Sequence, residues 1–163
     1  LHDMNIVQNF ARLNRQAIAA DIIKSLKFTQ LTSFSTVHNY IDTENKILRK
    51  GAISAQDGER MIIPLNMRDG CLICKGKGNA DWNCSAPHGA GRALNRTDTV
   101  NAFTLSQYKK EMQGIYSTSI SRDTLDECPM AYKDSSTIME QITPTVEIIE
   151  KLTPVYNFKA GTR

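Results

Sequence analysis

The sequence lacks any long apolar run. Runs such as MIIPL and CLIC have only four or five residues, whereas a membrane-spanning helix needs about 20. The N-terminal stretch LHDMNIVQNF has neither a basic n-region nor an apolar h-region, so we expect no secretory signal. These absences exclude a membrane-spanning helix and predict that no membrane is a partner.

Cysteine is also scarce, with four residues at positions 71, 74, 84 and 128. Because this is too few for a disulfide scaffold of 163 residues, we interpret them as reduced thiols in a cytoplasmic protein. Cys71 and Cys74 have C-x-x-C spacing, but they lie in an apolar strand pattern without a second ligand pair. A place in the core is therefore favoured over a zinc or redox site.

Neither an internal repeat nor a Pro/Ser-rich linker divides the chain. The length is that of one ordinary domain, so we predict a single domain over residues 1–163.

Hydrophobic periodicity predicts both helices and strands. Residues 4–26 have helical spacing, and we expect this helix, about 33 Å long, to pack across a sheet. Two further helices are predicted over 101–116 and 136–152, and TPVYNFKAG predicts a last strand or an extended tail. Short runs between turn signals predict strands: FSTVHNYI, KILRKGAI, RMIIPL and CLICKG. The predicted fold class is α+β, with packed helices and a mixed or antiparallel sheet.

Positive charge is concentrated in the middle of the chain. Residues 46–96 carry nine basic and four acidic side chains, although the net charge of the whole chain is only +3. A solvated surface face would explain this excess, but the same region ends in WNCSAPHGAGRALNR, whose glycines flank a histidine. A phosphate site combines such features.

The segment around His88 predicts an anion site. Ser85 and Pro87 are helix start signals, which would place residues 88–91 in a first turn with unpaired amides. Such a helix end binds phosphate, and Arg92 would lie one turn further on the same face. The positive helix end would favour the neutral imidazole, the form that can attack phosphorus. A helix cap with an ordinary surface histidine would have the same spacing, and that alternative stays open at this point.

Seven motifs occur in an order that resembles the RtcB RNA ligases: VHNYI, RKGA, DGE, IIP, GKGN, HGAGR and DECPMAYKD. The resemblance extends from QNFARLNR at residues 8–15 to FKAG at 158–161. It implies an enzyme that uses GTP and manganese to join a 3′-phosphate or 2′,3′-cyclic phosphate RNA end to a 5′-hydroxyl end. It also implies RNA as the substrate, either tRNA halves or broken RNA, and leaves room for an activating protein partner.

The resemblance assigns roles around the transferred phosphate. His88 is implied to attack the α-phosphate of GTP and to carry GMP as a phosphoramidate. His38 is implied as a manganese ligand and Asn39 as a residue near the nucleotide phosphates. In a regular strand His38 and Asn39 would point to opposite faces.

The resemblance also assigns the residues that bind the nucleotide. Ala90, Gly91 and Arg92 are implied to hold its phosphate. Tyr132 is implied to stack on guanine, and Lys159 is implied to hydrogen-bond the edge of that base.

The chain departs from the family pattern in two places. After Pro64 the family usually continues Gly-Ser-Met-Gly, whereas this chain has Leu-Asn-Met-Arg at 65–68. Asn66 stands where a serine is expected to contact the base; it can still donate and accept hydrogen bonds, but the loop path and guanine specificity become open questions.

The second departure concerns metal ligands. The Asp-x-x-Cys and Asn-His metal motifs that precede the QNFARLNR helix in the family do not occur here, and the chain begins at Leu1. We therefore expect the C-terminal portion of an RtcB-like ligase. Because a divalent ion needs several protein ligands, this portion alone should bind manganese poorly and have little ligase activity.

Two other functions fit parts of the sequence. A phosphohistidine-type phosphotransferase would also use His88, although such enzymes usually carry an arginine where this chain has Pro87. A noncatalytic RNA-binding module could use the basic region and Trp82. It would bind RNA in a salt-dependent manner and without GTP.

Overall fold

The structure, a computed structural model, describes residues 1–159. The helices are α1 (His2–Ser25), α2 (Arg96–Ala102), α3 (Leu105–Glu111) and α4 (Ser135–Gln141). The strands are β1 (His38–Asp42), β2 (Ile47–Ser54), β3 (Arg60–Asn66), β4 (Gly70–Gly76), β5 (Ser85–Pro87), β6 (Tyr116–Ser117), β7 (Val146–Leu152) and β8 (Tyr156–Asn157). Short 3₁₀ helices lie at Ala80–Trp82, Arg122–Glu127 and Pro129–Ala131. The last two residues of the FKAG motif, and the end of the domain predicted over 1–163, lie outside the described residues.

Two antiparallel sheets organise the described part of the chain. In one sheet β2 lies between β1 and β5, and in the other β4 lies between β3 and β7. A two-residue parallel pair of β6 with β8 adds a third, small sheet. Together with the helices, this arrangement confirms the predicted α+β class.

The main core forms where alternate residues of neighbouring strands point inward. Met61, Ile63 and Leu65 of β3 are buried at every second position, as the two-residue period of a strand requires. Leu72 and Cys74 of β4 are completely buried in the same cluster. Each large apolar side chain buried in this way stabilises the fold by about 1.5–3 kcal/mol.

A second apolar cluster lies beyond the tip of the β3–β4 hairpin. Tyr108 of α3 is fully buried there, and its hydroxyl lies 3.0 Å from the Sδ atom of Met67. Cys128 and Ala131 are buried in the same cluster. The hairpin tip therefore touches both clusters, and the cavity described below opens beside it.

The segment predicted as one helix over 136–152 is a helix followed by a strand. α4 ends at Gln141, and β7 begins at Val146 and pairs with β4. Pro144 has no amide hydrogen and disfavours helical backbone in the residue before it. The prediction is therefore wrong for the second half, where Val146 is buried as a strand residue.

The helix predicted over 101–116 is interrupted instead. α2 ends at Ala102, and Thr104 starts α3 with a capping box. The Thr104 amide donates to the Gln107 side chain at 2.8 Å, and the Gln107 amide donates to the Thr104 hydroxyl at 3.3 Å. This reciprocal pair is a strong helix start, so it separates two short helices.

Helix α1 forms where it is predicted, but it does not pack across a sheet. None of its residues is buried, and Ile18 and Ile22 on its apolar stripe are each 52% exposed. Its side chains meet β1, where the Gln8 side chain accepts a hydrogen bond from the Ile41 amide at 2.8 Å. Strand β1 is about 17 Å long, less than half of the roughly 36 Å length of α1, so β1 can contact only part of the helix. The expectation that this helix packs across a sheet is therefore wrong for the described residues. No helix within residues 1–159 is long and apolar enough to cross a membrane.

Candidate functional site

A cavity of about 620 Å³ lies between the tip of the β3–β4 hairpin and the segment that follows β5. This volume is typical of small-molecule sites. Seven residues predicted from the sequence line it: Asn66, His88, Ala90, Gly91, Arg92, Tyr132 and Lys159. The fold thus brings together residues that are up to 93 positions apart in the chain.

His88 is held by a backbone carbonyl from β2. β5 pairs with β2, so that Pro87 lies opposite Ala52, and His88 follows directly. Its Nδ1 atom lies 2.7 Å from the carbonyl oxygen of Gly51. Because a carbonyl oxygen only accepts, Nδ1 must carry the proton, which leaves the lone pair of a neutral ring on Nε2. Nε2 is therefore the atom of His88 that can act as a nucleophile.

The Gly51 carbonyl depends on an unusual backbone conformation. Gly51 has φ +65°, in the left-handed region that favours glycine. The carbonyl oxygen also lies 3.4 Å from the His88 amide nitrogen, so one peptide group contacts both the ring and the main chain of His88. A glycine in β2 therefore fixes the orientation of the candidate nucleophile.

The helix predicted to start at residues 85–88 does not form. Residues 85–87 are strand β5, and the next helix, α2, starts at Arg96 with Asn95 as its cap. Pro87 is accommodated because, among residues 1–159, β5 pairs only with β2, and φ +71° at Gly91 breaks any helical path. The helix-end argument for phosphate binding is therefore wrong, and so is its placement of Arg92 one helical turn after His88.

Backbone donors nevertheless remain in this segment. The Ala90 amide donates to the Pro64 carbonyl at 3.0 Å, which ties the segment to β3. Within the described residues no acceptor pairs with the amides of Gly89 and Gly91. Free amides in a glycine-containing loop can bind an anion without a helix.

Arg92 is fixed by the protein rather than free for a ligand. Its Nε atom donates to the Leu94 carbonyl at 2.9 Å, and its Nη2 atom donates to the Thr99 hydroxyl at 3.2 Å and to the Asp126 carbonyl. Its guanidinium carbon also lies 5.2 Å from the centre of the Tyr132 ring, within the range of a cation–π contact. Arg92 therefore holds the segment to its neighbours while its charge stays at the cavity wall.

Glu127 is the centre of a charged cluster on the same wall. Its carboxylate accepts from the Tyr132 hydroxyl at 2.7 Å and from Lys159 Nζ at 3.2 Å, and it forms an ion pair with Arg96 at 2.9 Å. Burial opposes ionisation of Glu127, but the hydrogen bonds from Tyr132 and Lys159 and the nearby positive charges lower its pKa overall. Burial and the Glu127 carboxylate raise the pKa of Tyr132 to about 12.

Sequence reasoning missed Glu127 and Arg96 as cavity residues. Both line the cavity, and Arg96 also pairs with Asp126. The available signal was the motif DECPMAYKD, in which only the tyrosine was given a role. Arg96 had a weaker signal, its place at the end of the basic HGAGRALNR stretch.

A family model described as "tRNA-splicing ligase RtcB" matches residues 1–160. The chain belongs to the RtcB family. This match confirms the resemblance drawn from the seven motifs.

Individual RtcB proteins are similar to the same region. RNA-splicing ligase RtcB of Escherichia coli K12 is 33% identical over 165 residues, which cover 91% of this chain and 40% of that protein. tRNA-splicing ligase RtcB of Methanococcus maripaludis is 27% identical over 174 residues, covering 84% of this chain and 36% of that protein. tRNA-splicing ligase RtcB of Aeropyrum pernix is 38% identical over 82 residues, covering 47% of this chain and 17% of that protein. The chain thus spans about two fifths of the length of the E. coli RtcB protein.

The hairpin tip, where this RtcB-family chain departs from the usual motif, is closed by Asn66. The Asn66 side-chain oxygen accepts from the amides of Arg68 and Asp69, both at 2.9 Å, and its Nδ2 atom donates to the Asp69 carboxylate at 2.8 Å. Arg68 pairs with Asp69 and with Glu111 of α3. Asn66 therefore lines the cavity with most of its hydrogen-bonding capacity used by the turn.

His38 and Asn39 lie beside His88 rather than in the lining of the 620 Å³ cavity. The His38 and His88 rings stack with centroids 4.9 Å apart and planes at 28°. Asn39 has φ +56°, and its side-chain oxygen accepts from the Gly51 amide at 2.6 Å. The pairing of β1 with β2 shifts register between His38 and Tyr40. The regular strand assumed for the opposite orientation of His38 and Asn39 is therefore absent at this point.

The described residues do not form a complete metal site. Within residues 1–159 no three His, Cys, Asp or Glu side chains are grouped so that they could hold a metal ion. All four cysteines have free thiols; Cys74 is buried as predicted, whereas Cys71 is half-buried and lines the cavity. His38 is one suitable ligand, but one imidazole does not hold a divalent cation alone.

Proposed function

We propose that this chain carries the nucleotide-transfer site of an RNA ligase. Its substrates would be an RNA end with a 3′-phosphate or 2′,3′-cyclic phosphate and an RNA end with a 5′-hydroxyl, with GTP as the nucleotide donor. The supporting observation is His88, whose Nδ1 atom is engaged by the Gly51 carbonyl beside a cavity of about 620 Å³. The printed names of the relatives, RNA-splicing and tRNA-splicing ligases, supply the reaction class.

In the first step, Nε2 of His88 attacks the α-phosphorus of GTP. An N–P bond forms while the bond from that phosphorus to the bridging oxygen breaks, and pyrophosphate leaves with the electron pair. The ring gains positive charge during the attack, and the Gly51 carbonyl stabilises it through the Nδ1 proton. The free amides of Gly89 and Gly91 would bind phosphate oxygens, with the charge of Arg92 nearby, while the hydrogen bond of the Ala90 amide to Pro64 would hold this loop in place.

In the later steps, His88 releases the nucleotide to RNA. A 2′,3′-cyclic phosphate end would first be opened by water, which adds to phosphorus as the bond to the 2′-oxygen breaks, leaving a 3′-phosphate and a 2′-hydroxyl. An oxygen of the RNA 3′-phosphate attacks the GMP phosphorus, and the N–P bond breaks so that its electron pair returns to Nε2. The 5′-hydroxyl then attacks the activated RNA phosphorus, loses its proton and displaces GMP. Tyr132 and Lys159 would hold the guanine base on the wall of the cavity, and Asn39 would lie near the phosphates.

Manganese enters the proposal only as a partner of His38. When bound, it would supply positive charge next to the phosphates, and His38 would be one of its ligands. Because the described residues do not complete its coordination, we derive no step through it. The remaining ligands would come from parts of an RtcB protein that this chain does not match.

The test is covalent labelling of the chain, expressed with any flanking sequence that its gene encodes. It is incubated with manganese and GTP labelled at either the α- or the γ-phosphate. The proposal predicts an acid-labile, base-stable adduct from the α-label that is lost in His88→Ala and kept in His2→Ala, a control on exposed α1.

Three outcomes would contradict the proposal. An adduct that survives His88→Ala would refute the assigned nucleophile. Labelling from the γ-phosphate alone would indicate the phosphotransferase. Salt-dependent RNA binding without any labelling would indicate the noncatalytic RNA-binding module.

The 163 residues by themselves should be a poor enzyme. We propose that this piece alone binds manganese weakly and has little ligase activity, because His38 lacks partner ligands among the described residues. Calorimetry that detects micromolar manganese binding by the piece alone would contradict this. A cytoplasmic location and an activating protein partner remain predictions of the same proposal.

A further inference from the structure

Glu127 connects four cavity-lining side chains that come from different segments of the chain. Its Oε2 atom accepts from the hydroxyl of Tyr132 at 2.7 Å and from Nζ of Lys159 at 3.2 Å. Its Oε1 atom lies 2.9 Å from Arg96 Nη2 and 3.6 Å from Arg92 Nη1. One carboxylate, only 13% exposed, therefore contacts the hydroxyl of one aromatic residue and three cations.

Fold stability alone does not account for this arrangement. The side chains of Lys159 and Arg96 are 39% and 63% exposed, and exposed ion pairs stabilise a protein by only about 0–1 kcal/mol. The Lys159 main chain is anchored separately, since its amide donates to the Ser119 hydroxyl at 2.9 Å. What Glu127 adds is a fixed direction for a long, flexible side chain that would otherwise sample many rotamers.

We propose that Glu127 is a positioning residue for the nucleotide. It fixes the ring of Tyr132 and the ammonium of Lys159 at the cavity wall before the base arrives, so that binding does not have to order them. This inference rests on the proposed function, because it takes Tyr132 and Lys159 as the residues that meet the base. It predicts that Glu127 controls nucleotide affinity and leaves the chemistry at His88 unchanged.

The test compares Glu127→Gln with Glu147→Gln, the same change at an exposed position of β7. GTP concentration is varied in the α-label assay. We expect Glu127→Gln to raise the half-saturating GTP concentration about tenfold, as for the loss of a charge-assisted hydrogen bond. The labelling rate at saturating GTP should match that of the parent, and Glu147→Gln should change neither quantity. A rate that falls at saturating GTP, with half-saturation unchanged, would overturn the proposal.

A double-mutant cycle with Lys159→Met separates positioning from a general loss of structure. Because Glu127 also holds Tyr132, Glu127→Gln should still weaken GTP binding in the Lys159→Met background, but by clearly less than the roughly tenfold effect in the parent. Full additivity of the two substitutions would overturn the proposal. If Glu127→Gln does not fold, Lys159→Met and Tyr132→Phe take its place, and the proposal fails if neither one weakens GTP binding.

Failure of the inference is distinguishable from failure of the proposed function. If the unsubstituted protein forms no adduct, the proposed function fails, and calorimetric titration with GMP still compares the affinities of the parent and Glu127→Gln. If the unsubstituted protein is labelled and Glu127→Gln behaves like it at every GTP concentration, only the role of Glu127 is refuted.

Discussion

Replacing Arg49 with methionine should strongly destabilise the fold. Arg49 lies in β2 with a side chain only 1% exposed. It donates to the Tyr40 hydroxyl at 3.0 Å, to the Asp42 carboxylate at 3.1 Å and to the Ser85 hydroxyl at 3.0 Å. It thereby joins β1 and β2 to β5, the strand that leads into His88.

The same guanidinium supports a strained turn. It lies 3.4 Å from the carbonyl oxygens of both Asn83 and Cys84, which have φ +49° and +45°. Methionine keeps the apolar stem but removes every donor. Loss of the ionic bond to Asp42 costs about 1.5–3 kcal/mol, and each of the two hydroxyl acceptors at 3.0 Å, on Tyr40 and Ser85, adds about 1 kcal/mol when it loses its donor. We expect a total of about 3–5 kcal/mol, the range for breaking a buried ion pair.

Urea unfolding followed by circular dichroism measures this loss. Lys50→Met is the matched control, since Lys50 is the next residue of β2 and is exposed. It should change the free energy of unfolding by less than about 0.5 kcal/mol. A loss below about 1 kcal/mol for Arg49→Met would refute the reasoning, because it would mean that the buried acceptors find other partners.

Three further predictions concern single sites. Gly70→Ala should destabilise the protein by about 2 kcal/mol or more, measured by urea unfolding, because Gly70 has φ +77° and an added Cβ would lie 1.9 Å from the Leu152 carbonyl oxygen; unchanged stability would contradict this. Hydrogen bonds from Asn45, with a smaller contribution from Arg49, lower the pKa of Asp42 from 3.8 to about 2. The ionised carboxylate therefore stabilises the fold above about pH 4, and this contribution should be lost as pH falls through about 2. Acid unfolding curves of Asp42→Asn should lack this pH-dependent loss of stability. Arg92→Lys should lower both stability and α-label incorporation, since lysine cannot reproduce the forked contacts of the guanidinium. Full labelling with parental stability would contradict the role of Arg92 in holding the segment after β5 to its neighbours.

Strand positions could be predicted from the sequence because the pattern is local. The run RMIIPL alternates between buried and less buried positions in β3 as a half-buried strand does. The periodicity of the run TVEIIEKL does not distinguish a helix from a strand, so the sequence predicts a helix there. Pairing with β4 makes it a strand. Tertiary contact overrode a weak local preference there.

The site was predictable in its members but not in its geometry. The motif around His88 identifies the residue, whereas a first helical turn was the wrong local structure for it. What orients the ring is the carbonyl of Gly51, which lies 37 positions away in the chain. Glu127 was missed for the same reason, because its partner Lys159 lies 32 positions further on. No local pattern reports such a contact.

The central claim is that Gly51 holds the proton on Nδ1 of His88 and leaves Nε2 to attack phosphorus. The most direct test is to isolate the labelled peptide under alkaline conditions, where a phosphoramidate is stable, and to determine by ³¹P and ¹H nuclear magnetic resonance which ring nitrogen carries GMP. The account predicts a linkage to Nε2. A linkage to Nδ1 would contradict it, because that nitrogen would then have to leave the Gly51 carbonyl before reacting.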